Sequence, residues 1–257
     1  MTVFIQQRFP KPSKLFSLAI TIMLATSWLP GAPAAAQDSA QTDTTVPGKL
    51  AIIGSVHTTP IDAVWQAILK EANIPFEVTE VMQGRRRRMF IDGLITLDCC
   101  FSPTWRNRPE EQVVQLFTDS FYTAEIRFVF KKGNVIPISS PEQIKYLRFA
   151  AVRGFAYTLE DFFGETIIGK SPSDTLRLVE LGRAQVTEAA KVLFDSEMAH
   201  TPRALELGDL ANYTNLHARV HISRADLLPR LNAAIARMKA SGRIKQILQA
   251  TTSNTQR

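Results

Sequence analysis

The chain has 257 residues, 45% of them apolar, and a formal net charge of +6. Three basic residues, Arg8, Lys11 and Lys14, stand in an amino-terminal segment whose removal on export takes no acidic residue with it, leaving +3. So weak a field, with no recognition module, excludes a nucleic-acid binder; His57, His200, His217 and His221 are scattered without partners at zinc spacing, and no metal or other cofactor is implied.

The basic start leads into an apolar run, Leu15 to Leu29, broken by Pro30 and Gly31 and followed by Ala34-Ala35-Ala36. The run is shorter than the ~20 residues that span a bilayer, and the alanines supply the small residues of a signal-peptidase site, so a signal peptide ending near Ala36 and a periplasmic location are predicted. No cysteine stands beside that site to take a lipid. The polar stretch 37–48 is read as a disordered leader.

From Lys49 the elements alternate. A strand at 49–56 precedes a helix in which Ile61, Val64, Trp65, Ile68, Leu69 and Ala72 recur at helical spacing. A strand at 75–81, a helix through "GRRRRMFIDG" ended by Gly93 as C-cap, and a buried strand "LITLDCCF" complete a β-α-β-α-β series, the pattern of a parallel sheet between helices. The series then repeats in shorter form. It comprises a strand at 126–133, a helix opened by a Ser140, Pro141, Gln143 capping box, a strand at 148–154, a helix capped by Ser173 and stopped by Gly182, a strand at 184–189 and one last helix through 227–249. Two similar α/β lobes follow. Cys99 and Cys100 are adjacent in a strand, where side chains alternate faces, so they are read as small buried residues and not as a disulfide.

In order along the chain, "FIDGLITLDCC", "SPTWRNRPEE", "FTDSFYTAEIRFVFKKG", "PISSPEQIKYL", "AAVRGFAYTLEDFF", "LVELGRAQV" and "LLPRLNAAIARMKASGRIKQIL" resemble the periplasmic solute-binding proteins of ABC transporters, of the family 3 type used mostly for amino acids. The resemblance implies a two-lobed periplasmic-binding-protein fold, each lobe a mostly parallel sheet flanked by helices, joined by two crossover strands. These are placed near 128–132 and 219–223. Lobe 1 would be 49–127 plus 224–250 and lobe 2 would be 128–223. The family's aspartates after its glycines are here Thr96 and Gln185, and its ammonium-holding carboxylate has two candidate counterparts, Glu188 and Asp195. The implied partners are a small-molecule solute, carboxylate-bearing and amino-acid-like, and a membrane permease or sensor, with the protein acting as a monomer. An enzyme on the same fold, such as a lyase of organic acids, or a degenerate binding module are the alternatives; no nucleophile elbow, zinc motif or phosphate loop appears.

Candidate ligand residues follow from this frame. Arg106 and Arg108 come just after a buried strand, at the carboxyl end where open α/β sheets bind ligands, and a guanidinium there can grip a carboxylate bidentately unless Glu110 or Glu111 takes it. Arg85 opens its helix at a position where related sequences sometimes place a cleft-facing arginine, whereas Arg86, Arg87 and Arg88 are read as solvated surface. Trp105, Tyr122 and Tyr157 are candidate aromatic walls, with Phe121 and Phe155 read as core. Asp174 and Thr175 open a helix whose amides could receive an anion. Glu188 completes the set.

Overall fold

The computed structural model describes residues 48–53, 59–81 and 83–254; the expected signal peptide and the leader expected up to Pro47 lie outside the described residues. In chain order the elements are β1 (Gly48–Ile53), α1 (Pro60–Glu71), β2 (Phe76–Val81), α2 (Gln83–Ile91), β3 (Leu97–Phe101), α3 (Pro109–Gln112), β4 (Gln115–Phe117) and β5 (Tyr122–Lys131), then β6 (Phe149–Val152), β7 (Thr166–Gly169), α4 (Pro172–Glu180), β8 (Thr187–Ala190), α5 (Lys191–His200), β9 (Leu205–His221), α6 (Leu228–Ala240) and α7 (Arg243–Asn254).

Local chemistry explains where the helices start and stop. Thr59 caps α1 by accepting from the Asp62 amide at 3.1 Å while the Asp62 carboxylate accepts from the Thr59 amide at 3.2 Å, a reciprocal box that satisfies two otherwise orphaned donors. The predicted stripe of α1 is buried, and Ile68, Leu69 and Val64 are wholly inaccessible. Each such side chain contributes about 1.5–3 kcal/mol relative to exposure. The stripe packs on Leu97, Leu216 and Ala218 and on Leu231, Ala234, Ile235 and Met238 of α6, so the end of the chain returns to the core of its beginning.

The sheets show how the two halves connect. β1 lies parallel to both β2 and β3, the predicted β-α-β-α-β unit, and β3 then pairs antiparallel with the end of β9. In the second half β6 and β7 are parallel, and β5 pairs antiparallel with β8 and with most of β9. β9, 17 residues long, pairs with β5 as far as Leu216 and with β3 and β4 from His217 to His221. The described residues from Gly48 on belong to one compact unit, in which β9 pairs in both sheets.

Several local expectations are corrected. Along β9 the partner changes from β5 to β3 and β4 between Leu216 and His217. The cap of α4 is Ser171, which accepts from the Asp174 amide at 3.1 Å, and Ser173 lies inside the helix. Ser140 and Gln143 do form a capping box, but over a 3₁₀ helix, Pro141–Tyr146. The last helix is two, broken at Gly242, whose φ of +70° is open to glycine at little cost. Cys99 and Cys100 are joined as a disulfide, with Cα atoms 3.1 Å apart. Alternation of faces assumes a trans peptide, and the Cys99–Cys100 peptide is cis.

Candidate functional site

Asp98 is the only charged residue of β3, and it has 0% exposure. A lone carboxylate inside a strand needs a cation, and the β3–β9 register sets Arg219 directly opposite it. Arg219 Nε donates to Asp98 Oδ2 at 2.8 Å, and Arg219 Nη1 donates to Glu111 Oε1 of α3 at 2.8 Å. From α2, Arg86 donates to Asp98 Oδ1 and to the Cys99 carbonyl, and Arg87 pairs with Glu111 Oε1 at 3.2 Å. Helical spacing is what permits this. Consecutive arginines point in different directions, so Arg86 reaches inward, Arg87 sideways, and Arg85 and Arg88 outward. The expectation that Arg86 and Arg87 are solvated surface is therefore corrected.

Aromatic rings line the same cluster. The Phe101 ring has Arg106 Cζ 3.9 Å from its centroid, with Arg86 at 5.1 Å and Arg219 at 5.2 Å, and Arg219 also lies 4.0 Å from the Phe90 centroid. Ring faces carry negative potential that partly offsets the crowding of like charges.

Arg106 differs from its neighbours. It is 3% exposed, its Nε has no hydrogen-bond partner, and among the described residues no carboxylate pairs with it. Its one bond runs from Nη1 to the Trp105 carbonyl at 2.9 Å. Burial pulls its pKa down to about 9, with Asp98 opposing and Arg219 adding repulsion, so at neutral pH it remains a buried cation with no carboxylate paired to it. Arg108, by contrast, is exposed at the start of α3.

The other predicted residues divide into two groups. The Trp105 indole donates to Thr158 Oγ1 at 3.4 Å, a contact between the loop after β3 and the loop after β6 that joins the two halves beside Arg106. Next to Thr158, Tyr157 packs edge-on against Phe149 at 5.5 Å and its hydroxyl accepts from the Val152 amide at 2.8 Å. Burial and the nearby Glu188 hold the Tyr157 phenol well above its usual range. Glu188 projects from β8 opposite Phe128, its Oε1 buried without a partner, and burial raises its pKa to about 7. Tyr122 is half-buried at the start of β5, its phenol raised by burial and by Glu125 and Asp195. Asp174 and Thr175 are committed locally: Asp174 Oδ2 accepts from the Lys170 amide at 3.0 Å, and Thr175, buried, donates to the Pro172 carbonyl at 2.7 Å. Arg85 is exposed on α2.

No family profile matches the sequence, and no curated protein sequence does. Solved structures do match. An amino acid ABC transporter substrate-binding protein from Streptococcus pneumoniae, bound to L-arginine, has a TM-score of 0.68 at 12% identity, covering 82% of this chain and 96% of that one. A solute receptor for L-cysteine of Neisseria gonorrhoeae has a TM-score of 0.62 at 20% identity, covering 80% and 89%. A histidine kinase sensor domain similar to periplasmic binding proteins has a TM-score of 0.67 at 15% identity, covering 80% and 95%. The fold is that of the two-lobed periplasmic binding proteins.

β9 is the strand that pairs in both sheets, and Arg106 and Trp105 follow β3 while Tyr157 and Thr158 follow β6. Sequence reasoning missed Arg219 and Asp98, and named Glu111 as a partner for Arg106 or Arg108 where the structure pairs it with Arg219 and Arg87. The signal available was Asp98 itself, an acid in the middle of "LITLDCCF", since buried acids in strands are found paired.

Proposed function

We propose that this chain is an exported solute-binding protein that closes two lobes over a small carboxylate-bearing molecule, for delivery to a membrane permease or presentation to a sensor. The observation that carries the reading is Arg106, a buried guanidinium with an unpartnered Nε beside the Trp105–Thr158 contact between the halves. A carboxylate supplies the two acceptors in a plane that such a group lacks. The amino-acid ligands in the titles of similar structures support the same chemistry, and the sensor domain among them supports sensing as an outlet alongside transport. We place the lobes on either side of 123–127 on β5 and 210–216 on β9, within an exported chain beginning near Gln37.

Closure then follows from differential affinity: a solute touching both halves favours the state in which both walls meet it. A thermal-shift screen of small carboxylic acids, amino acids and matched uncharged amides tests this. Acids should raise the melting temperature in proportion to the logarithm of concentration, be recovered unchanged, and lose their effect when the carboxylate is amidated. Stabilisation by the amides as strong as by the acids overturns the reading.

A further inference from the structure

The strands of the second half end in an open edge. β8 joins β6 through the Phe149–Val186 bridge, β6 pairs with β7, and among the described residues no other strand pairs with β7. The Phe149 and Arg153 amides donate to the Glu165 and Gly169 carbonyls, so the backbone groups of 165, 167 and 169 turn toward β6 and those of Thr166 and Ile168 turn outward. Apolar surface accompanies them. Ile168 is 48% exposed, and Tyr146, 82% exposed, follows Lys145, whose carbonyl lies so near Gly164 at the entry to β7 that a Cβ there would collide with it. An edge of this kind is a template for another strand.

The charges at its two ends say which strand fits. Glu165 precedes β7 and Lys170 follows it, both are exposed, and among the described residues neither side chain has an ion-pair partner. A strand with an acid at its start and a base at its end is complementary to its own copy laid antiparallel. Laid parallel, the copies would set Glu165 on Glu165 and Lys170 on Lys170. Antiparallel pairing centred on Ile167 puts Thr166 opposite Ile168 of the second copy, the two residues whose backbone groups face outward, so both can exchange main-chain bonds. Glu165 then lies opposite Gly169 of the second copy and one residue from its Lys170, a diagonal that long side chains reach. Lysine at an edge also serves to keep strands apart; against a second copy, the acid at the other end cancels that effect.

We infer that β7 is a docking edge for a second copy of this chain, giving a two-fold dimer in which the β6–β7 ladders of the two copies continue into one another. The two-fold axis passes through Ile167, so the contact is the same from both sides and closes at two copies. This departs from the monomer that the family resemblance implies. β8 and β6 stand between β7 and β5, and the inference uses none of the residues on which the carboxylate reading rests.

Sedimentation velocity of the purified protein, across a concentration series reaching about 1 mM, tests it. The parent should show a monomer–dimer equilibrium. Glu165→Lys and Lys170→Glu should each weaken the dimer at least about tenfold, because each sets like charges together at both symmetric contacts. The double variant Glu165→Lys, Lys170→Glu should return to within about threefold of the parent, since it exchanges the charges and keeps their complementarity. Both positions are exposed, so the melting temperature at low concentration should not move. A parent that stays monomeric throughout overturns the inference. A dimer that both single reversals leave unchanged removes the interface from β7, and a double variant as weak as the singles overturns the antiparallel pairing.

Discussion

Asp98 and Glu188 are both buried acids on strands, and the two halves of the molecule treat them in opposite ways. Asp98 in the first half is surrounded by guanidinium groups and carries bonds from Arg86 and Arg219. Glu188 in the second half, opposite Phe128 in the β5–β8 register, has an orphaned Oε1 and a raised pKa caused by burial alone. The contrast separates two roles: a charge locked in a network fixes geometry, whereas one left unpaired keeps its chemistry free for something that arrives.

The largest effect that would test this contrast is at Asp98. Replacement by alanine strips Arg86 of its carboxylate and leaves Arg219 with Glu111 only, so stability should fall by about 3–5 kcal/mol, the usual cost of breaking a buried pair, read as a lower urea midpoint. A loss under about 1 kcal/mol would mean that the cluster is solvated and the contrast false.

At Glu188 the pH dependence carries the test. Burial raises the folded-state value from 4.5 to about 7, so the protonated carboxyl stabilises the fold below pH 4.5, and stability declines as pH climbs through 7. The decline is on the order of 3 kcal/mol over that window, at 1.36 kcal/mol per unit. Glu188→Gln should flatten this slope in urea titrations between pH 4.5 and 8; an unchanged slope would place a counter-charge beside Glu188 in solution.

Next in size is Arg106. Lysine there keeps a charge but loses the planar fork, so binding of a carboxylate solute should weaken by about 1–3 kcal/mol, the range for hydrogen bonds to charged groups, with little change in the urea midpoint. Equal affinity for the variant and the parent by calorimetry would return Arg106 to a purely structural role over Phe101.

The smallest effect sharpens the comparison from outside. Arg88 pairs with Asp92 at 2.9 Å on the solvent side of α2, its side chain 75% exposed. Arg88→Ala should cost less than about 0.5 kcal/mol, although Arg88 lies only two residues from buried Arg86.

How much of this was legible in the sequence depends on what each element signals locally. α1 announced itself through its apolar period, and Gly93 marked the end of α2, where the structure gives it a φ of +69°. β9 did not. Its "LELGDLANYTNLHARVH" contains glycine, aspartate and two asparagines, all poor strand formers, and it is a strand because β3, β4, β5 and their cores impose it. Gly208 is needed there, since a Cβ would come 2.5 Å from the Phe130 ring. The site was half legible. The place of Arg106 after a buried strand pointed to it, whereas the inward turn of Arg86 and Arg87 depends on the facing of α2 against residues far along the chain, and four arginines in a row carry no sign of which will be buried.

The last five residues of β9 hold Arg219, and the strand passes between the sheets just before them, so about 16 Å of unbroken backbone separates the arginine floor from Thr214. On the proposed reading, one rod would both anchor the captured charge and serve as the axle on which the halves turn. Affinity becomes a property of that axle's stiffness as well as of the groups touching the solute, and a backbone change at Asn212 that never meets the solute would retune how tightly it is held.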